Sequence, residues 1–201
     1  MNKMKRFTTL TLLITIEIIL ATVPLLGYIP LGFINATTLH LPVIAAGILL
    51  GRKEGAIVGF VFGLSSLINN TLSPNITSFL FSPFFSLGGV HGNFASLLIA
   101  FIPRMMCGYL AGVIYPLFQK KLNSHLRAVI ASILGSFSNT VLVMSGAAVF
   151  FAEAYASAQG IAVSSLITFI IGVVCTNGVA ECLVAALICP IIVKAFHKVM
   201  H

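Results

Sequence analysis

The chain has 201 residues, 59% of them hydrophobic and only 7% charged, with a net charge of +7. A soluble globule carries roughly a quarter charged residues, and the 4 acidic groups here cannot clothe this one in water. A mean hydropathy of +1.11, and apolar runs able to cross a hydrocarbon core about 30 Å thick, place it in the membrane.

The first apolar segment runs from Phe7 to Tyr28, behind Lys3, Lys5 and Arg6. Its basic start is like that of a secretion signal, but no convincing small-residue cleavage site follows, so it is expected to persist as a helix. A connection containing glycine and proline, Ile29 to Thr37, leads to a short second segment, His40 to Leu50, that ends at Gly51. The third segment covers Gly55 to Leu67. A long connection, Asn69 to Asn93, then carries Pro74, Pro83, four phenylalanines and the Gly88-Gly89 pair. A stretch of about 25 residues with little structure of its own is usually a lid or a binding loop. This one is too apolar to be well solvated, so it is expected to fold over one mouth of a helix bundle. The fourth segment starts between Phe94 and Pro103 and ends near Phe118. The fifth covers Ala128 to Phe151, and the sixth Ala162 to Val193 with Pro190 near its end. No polar linker interrupts the series, so residues 1–201 read as a single transmembrane domain.

Ten of the 11 basic residues fall in every second connection: Lys3, Lys5, Arg6, Arg52, Lys53, Lys120, Lys121, Arg127, Lys194 and Lys198. The intervening connections are uncharged apart from Glu153. This is the positive-inside pattern. It predicts an all-α integral membrane protein with six transmembrane helices and both termini cytoplasmic, and it explains the basic residues without nucleic acid.

Arg104 breaks the pattern, following Pro103 in the outer part of the fourth segment. A charge near mid-bilayer costs at least ~2.5 kcal/mol. It either clamps an anionic group of a solute or serves as an internal ion pair or a snorkelling side chain. Asn177 and Glu181 lie one turn apart on the sixth segment and so share a face, while Asn139 and Thr140 sit midway along the fifth. These four are candidates to line a polar cavity. Alternatively, Glu181 neutralises Arg104 and the asparagines join helices. Glu17 is expected to make a structural hydrogen bond or a subunit contact, and His40 is either an interfacial histidine or one that reaches the cavity. Gly55, Gly59 and Gly63, and likewise Gly108 and Gly112, repeat at four-residue spacing, which allows close helix packing in lipid.

The sequence lacks aspartate, and its 5 histidines are scattered. Paired acids, metal-ligand spacing and a nucleophile with its base are therefore all missing, which argues against an enzyme, a metal site or a cofactor. Cys107, Cys175, Cys182 and Cys189 sit in apolar segments as packing residues. There is no Walker sequence, so an ATPase would be a separate chain. Nothing resembles the repeated filter of a channel.

Several stretches, in order along nearly the whole chain, resemble the S components of energy-coupling factor (ECF) vitamin transporters. They are His40-Leu41-Pro42-Val43, Gly51-Arg52-Lys53-Glu54-Gly55 with Gly59 and Gly63, Pro103-Arg104 with Gly108 and Gly112, Ser138 to Val143, and Asn177 to Glu181. The resemblance implies the S-component fold of six helices in the bacterial cytoplasmic membrane, capturing a vitamin near the outer face beneath the loops. It also implies partners: the membrane coupling protein EcfT and two ATPase subunits, EcfA and EcfA'. The family's first helix carries an Ala-x-x-x-Ala docking motif, and the matching positions here are Thr11 and Thr15.

Within the family the resemblance is greatest to the pantothenate subgroup. Pantothenate offers a carboxylate for Arg104, and hydroxyls and an amide for Asn139, Asn177 and Glu181. Two alternatives stay open: a neutral vitamin such as pyridoxine or hydroxymethylpyrimidine with Arg104 structural, and a stand-alone secondary transporter.

Overall fold

The computed structural model describes residues 2–23, 27–31, 34–87 and 90–200. Helix α1 spans Lys3–Thr22 and stops short of the expected Tyr28. Val23 is already extended (φ −105°, ψ 100°) because it precedes Pro24, whose ring disfavours the helical conformation of the residue before it. Tyr28 instead opens a hairpin of β1 (Tyr28–Leu31) and β2 (Ile34–Thr37), paired from Tyr28↔Thr37 to Leu31↔Ile34. Residues 24–26 lie outside the described residues.

Helix α2 (His40–Leu50) is apolar on every side and buries 10 of its residues. A helix with no polar face belongs in a core, and α2 packs against α1, α4, α5, α8 and the next helix, α3. At 11 residues it rises only about 16 Å, roughly half the hydrocarbon thickness. Gly51 ends it with φ +109°, a conformation that glycine adopts without a Cβ penalty, so α3 (Arg52–Leu72) begins at once.

The third segment runs past the expected Leu67 because the polar tail satisfies itself. Asn70 donates to the Ser66 carbonyl at 2.8 Å and Thr71 to the Leu67 carbonyl at 2.7 Å, while Asn69 donates across to the Ala21 carbonyl of α1 at 2.8 Å. Helix α4 (Phe94–Leu117) starts at the early end of its expected range, where Asn93 and Ser96 form a reciprocal capping box. Helix α5 (Ser124–Phe150) begins four residues before the expected Ala128, with the Asn123 side chain accepting from the Leu126 N–H.

A short helix not expected from the sequence, α6 (Ala152–Ala158), follows. The last segment opens with a 3₁₀ turn, Val163–Ser165, and continues as α7 (Leu166–Val173). A π turn, Val174–Gly178, joins α7 to α8 (Val179–Met200). Among the described residues, four helices are long and apolar enough to cross a membrane: Arg52–Leu72, Phe94–Leu117, Ser124–Phe150 and Val163–Phe196.

Helices α3 and α4 meet backbone to backbone. A Cβ on Gly59 would overlap the Arg104 carbonyl, and one on Gly108 would overlap the Gly55 carbonyl. The glycine stripe thus sets α4 against α3 at the level of Arg104. The long connection between them forms a 3₁₀ turn, Ser78–Leu80, and a hairpin of β3 (Ser86–Leu87) and β4 (Val90–His91); the Gly88-Gly89 pair lies outside the described residues. Phe79, Leu80 and Phe85 are buried in a second apolar core with Ile99, Val143, Phe151 and Tyr155. Phe79 packs edge-on to Phe151 with ring centroids 5.5 Å apart. The connection is thus packed down onto α4, α5 and α6.

Candidate functional site

Within the bundle, Thr37, Phe62, Arg104, Asn139, Thr140, Val143, Met144, Val173, Asn177 and Glu181 line a cavity of about 140 Å³. Five of the six residues expected to bind a solute thus line one cavity: Arg104, Asn139, Thr140, Asn177 and Glu181. His40 does not line the cavity. It is 1% exposed and stands behind the wall, its Nδ1 3.4 Å from the Thr37 hydroxyl.

The position of Arg104 follows from its neighbour. Proline cannot donate to the carbonyl four residues back, so Pro103 leaves the Ile99 carbonyl without its helical partner. Arg104 Nη1 supplies that bond at 2.6 Å. Helix side chains lean toward the N-terminus, which is the direction this bond requires. The guanidinium carbon also lies 4.6 Å from the Phe81 ring centroid and 5.4 Å from that of Phe62. Such cation–π contacts strengthen when desolvated, so α3 and the long connection hold a buried cation at the cavity wall.

Glu181 is held as firmly. One carboxylate oxygen accepts from the Thr37 hydroxyl at 3.0 Å and the Thr37 N–H at 3.4 Å, and the other accepts from the Thr140 hydroxyl at 2.8 Å. The β1–β2 hairpin is thereby tied to α8. Asn139 Oδ1 is buried with no hydrogen-bond partner among the described residues. An orphaned acceptor in a polar cavity is an unmet demand for a donor.

Val173, Asn177 and Glu181 follow one another at four-residue steps along the cavity. In a regular α-helix that spacing drifts by roughly 40° per step. The π turn at Val174–Gly178 turns less per residue and keeps the three in line, and such turns often mark functional sites.

Sequence reasoning missed Thr37 and Phe62. Thr37 lay in what read as loop, since only the strand pairing directs it inward. Phe62 sits between Gly59 and Gly63, and that stripe was itself a signal that this face of α3 meets α4. Thr11 and Thr15 lie elsewhere, exposed on α1, with their hydroxyls turned onto the carbonyls of Phe7 (3.1 Å) and Thr11 (2.9 Å). Glu17, for which a structural hydrogen bond or subunit contact was expected, is fully buried, and neither carboxyl oxygen finds a hydrogen-bond partner among the described residues.

A family model for the substrate-specific component of ECF transporters matches residues 5–193. The pantothenic acid transporter PanT of Lactococcus lactis subsp. cremoris is 38% identical over 167 residues, covering 82% of this chain and 79% of that protein. The pantothenate transporter PanT of Leuconostoc mesenteroides subsp. mesenteroides is 29% identical over 187 residues, covering 90% and 86%. The buried polar cavity among apolar helices, and a family match over nearly the full length, carry the same conclusion. This multi-pass protein of the cell membrane is a transport subunit rather than an enzyme, and it belongs to the ECF transporter substrate-specific (S) components.

Proposed function

We propose that the chain captures pantothenate for an ATP-driven importer, with Arg104, Asn139, Thr140, Asn177 and Glu181 as the binding residues and Thr37 added to them. The observation that carries this reading is a buried guanidinium in a cavity whose other polar groups are amides, hydroxyls and one carboxylate already bonded within the protein. A planar cation pairs with a carboxylate through two parallel hydrogen bonds. The orphaned Asn139 Oδ1 suits a hydroxyl or amide donor, both of which pantothenate offers. The names of the two relatives support the same solute. His40 acts through Thr37, as a support for the wall.

Equilibrium binding to the purified protein against a panel of vitamins tests this. Pantothenate is expected to bind tightest, and pyridoxine and hydroxymethylpyrimidine at least about tenfold more weakly, since one good hydrogen bond to a charged group is worth roughly 1.5–3 kcal/mol. Equal or tighter binding of a neutral vitamin would make Arg104 a structural residue.

The family implies an energy-coupling module, and we take its members to be EcfT, EcfA and EcfA', reached through the exposed Thr11–Thr15 face of α1. Six segments enter the membrane in this reading, α2 reaching only part-way, with both termini cytoplasmic. The distribution of basic residues supports that orientation. In a Cys175→Ala background, Ser157→Cys or Ile76→Cys is expected to react with an impermeant thiol reagent from outside. Ser124→Cys is expected to react only after the membrane is opened. All three positions are exposed, so reversed labelling would invert the orientation.

A further inference from the structure

A second cavity, of about 600 Å³, opens at the other end of the bundle between α4, α5 and α8, lined by Tyr115, Ser124, His125, Arg127, Ala128, Pro190, Val193 and Lys194. It is separate from the solute cavity. Along α8 about 20 Å of helix rise divides Lys194 from Glu181, and along α5 about 18 Å divides Arg127 from Asn139.

Its charge is one-sided. The acidic residues of the chain are Glu17, Glu54, Glu153 and Glu181, and none of them lines it. Glu54 pairs with Arg6. Arg127 is pre-positioned: its guanidinium carbon lies 4.5 Å from the Tyr115 ring centroid and its Nη2 donates to the Tyr115 hydroxyl at 3.5 Å. That hydroxyl lies 2.9 Å from the Ser124 hydroxyl. Arg127 Nε is buried with no acceptor among the described residues. A fixed guanidinium, an ammonium, an imidazole and two hydroxyls around one space make a phosphate-binding set.

The apolar part of the wall identifies the source of that phosphate. Ala128, Pro190 and Val193 share the cavity with the cations. Leading away from it, Ile191, Leu187, Leu183 and Val179 form an exposed row along α8, 67%, 69%, 60% and 51% accessible. At four-residue steps the row winds by roughly 40° each, a shallow spiral along α8 that an acyl chain would cover. We propose that this cavity is a binding site for the phosphodiester headgroup of an anionic phospholipid, with an acyl chain lying along α8. Basic pockets between membrane helices recognise such headgroups. The site is independent of which vitamin occupies the other cavity; the orientation proposed above places it in the inner leaflet.

The test uses the purified full chain, with native mass spectrometry to count bound lipid and thermal melting to follow stability. Dioleoylphosphatidylglycerol is titrated against dioleoylphosphatidylcholine, with inorganic phosphate as a third arm. The wild type is expected to retain phosphatidylglycerol about thirtyfold more tightly than phosphatidylcholine, from about two effective cationic contacts. The Arg127→Gln/Lys194→Gln variant should fall to the phosphatidylcholine level. A charge-matched control, Lys3→Gln/Lys53→Gln, should keep the preference, which separates a built site from general surface potential. Lys194 is exposed, so Lys194→Gln alone should fold as wild type and lose at least about threefold of the preference. Undiminished phosphatidylglycerol retention in that single variant, or equal loss in the control, would overturn the site. Stabilisation by inorganic phosphate equal to that by the lipid would overturn the lipid as its source.

Discussion

Replacing Arg104 by methionine is expected to weaken pantothenate binding by at least about a hundredfold. Removing one partner of a buried charged pair strands the other, at roughly 3–5 kcal/mol, and each ~1.4 kcal/mol is tenfold in affinity. The amide analogue of pantothenate, which has no carboxylate, should bind the wild type poorly and lose much less in the variant. Lysine at this position should rescue only in part, because an ammonium cannot make the two-pronged contact. The structure adds a complication with its own control. Arg104 also satisfies the Ile99 carbonyl, so the methionine variant should melt earlier even without solute. Combining it with Pro103→Ala returns a backbone N–H to that carbonyl. The double variant should regain stability without regaining affinity, which assigns the affinity loss to the missing charge. Normal pantothenate binding by a folded Arg104→Met protein would remove the carboxylate clamp from the mechanism.

The second large effect is expected on uptake alone. Thr11 and Thr15 lie one turn apart on the exposed side of α1, with their hydroxyls already bonded to their own helix backbone. What remains outward is a small, self-satisfied surface, the kind that lets another helix approach closely in lipid. Thr11→Leu with Thr15→Leu should therefore abolish ATP-driven uptake in cells that carry the coupling module. Solute binding by the isolated subunit should be unchanged, because neither residue lines the cavity. Parallel loss of binding and uptake would make the stripe part of the internal packing. Intact uptake would move docking to another face.

These effects are separable because the two surfaces are built differently. The cavity wall is cross-tied: Glu181 ties the β1–β2 hairpin to α8 and α5, Phe81 ties the long connection to Arg104, and the Gly59 backbone seats α4 against α3. The cavity thus draws its lining from β2, α3, α4, α5, α7 and α8. The Thr11–Thr15 face is built without such ties, each hydroxyl bonded only to its own helix backbone.

What could be read from the residues in order follows from local physics. Membrane insertion, the apolar segments and the side on which basic residues gather depend on composition along the chain, since lipid imposes its cost residue by residue. Arg104, Asn139, Thr140, Asn177 and Glu181 stood out for the same reason: polar groups within apolar helices are expensive and need a purpose. Their convergence on one cavity was not legible, because it depends on how α4, α5 and the last segment pack. The half-length of α2, His40–Leu50, was legible, but its place at the centre was not, since an apolar helix of 11 residues reads alike as a core helix or a short span. The early end of α1 was present in the Val23-Pro24 pair and was overridden by the apolar run. Thr37 could be placed only by strand pairing, a contact between segments with no marker within either. Arg127 likewise read as one more cytoplasmic charge, and became part of a cavity only when α8 brought Lys194 beside it. Residue chemistry set which groups had to be satisfied; the packing of distant segments chose their partners.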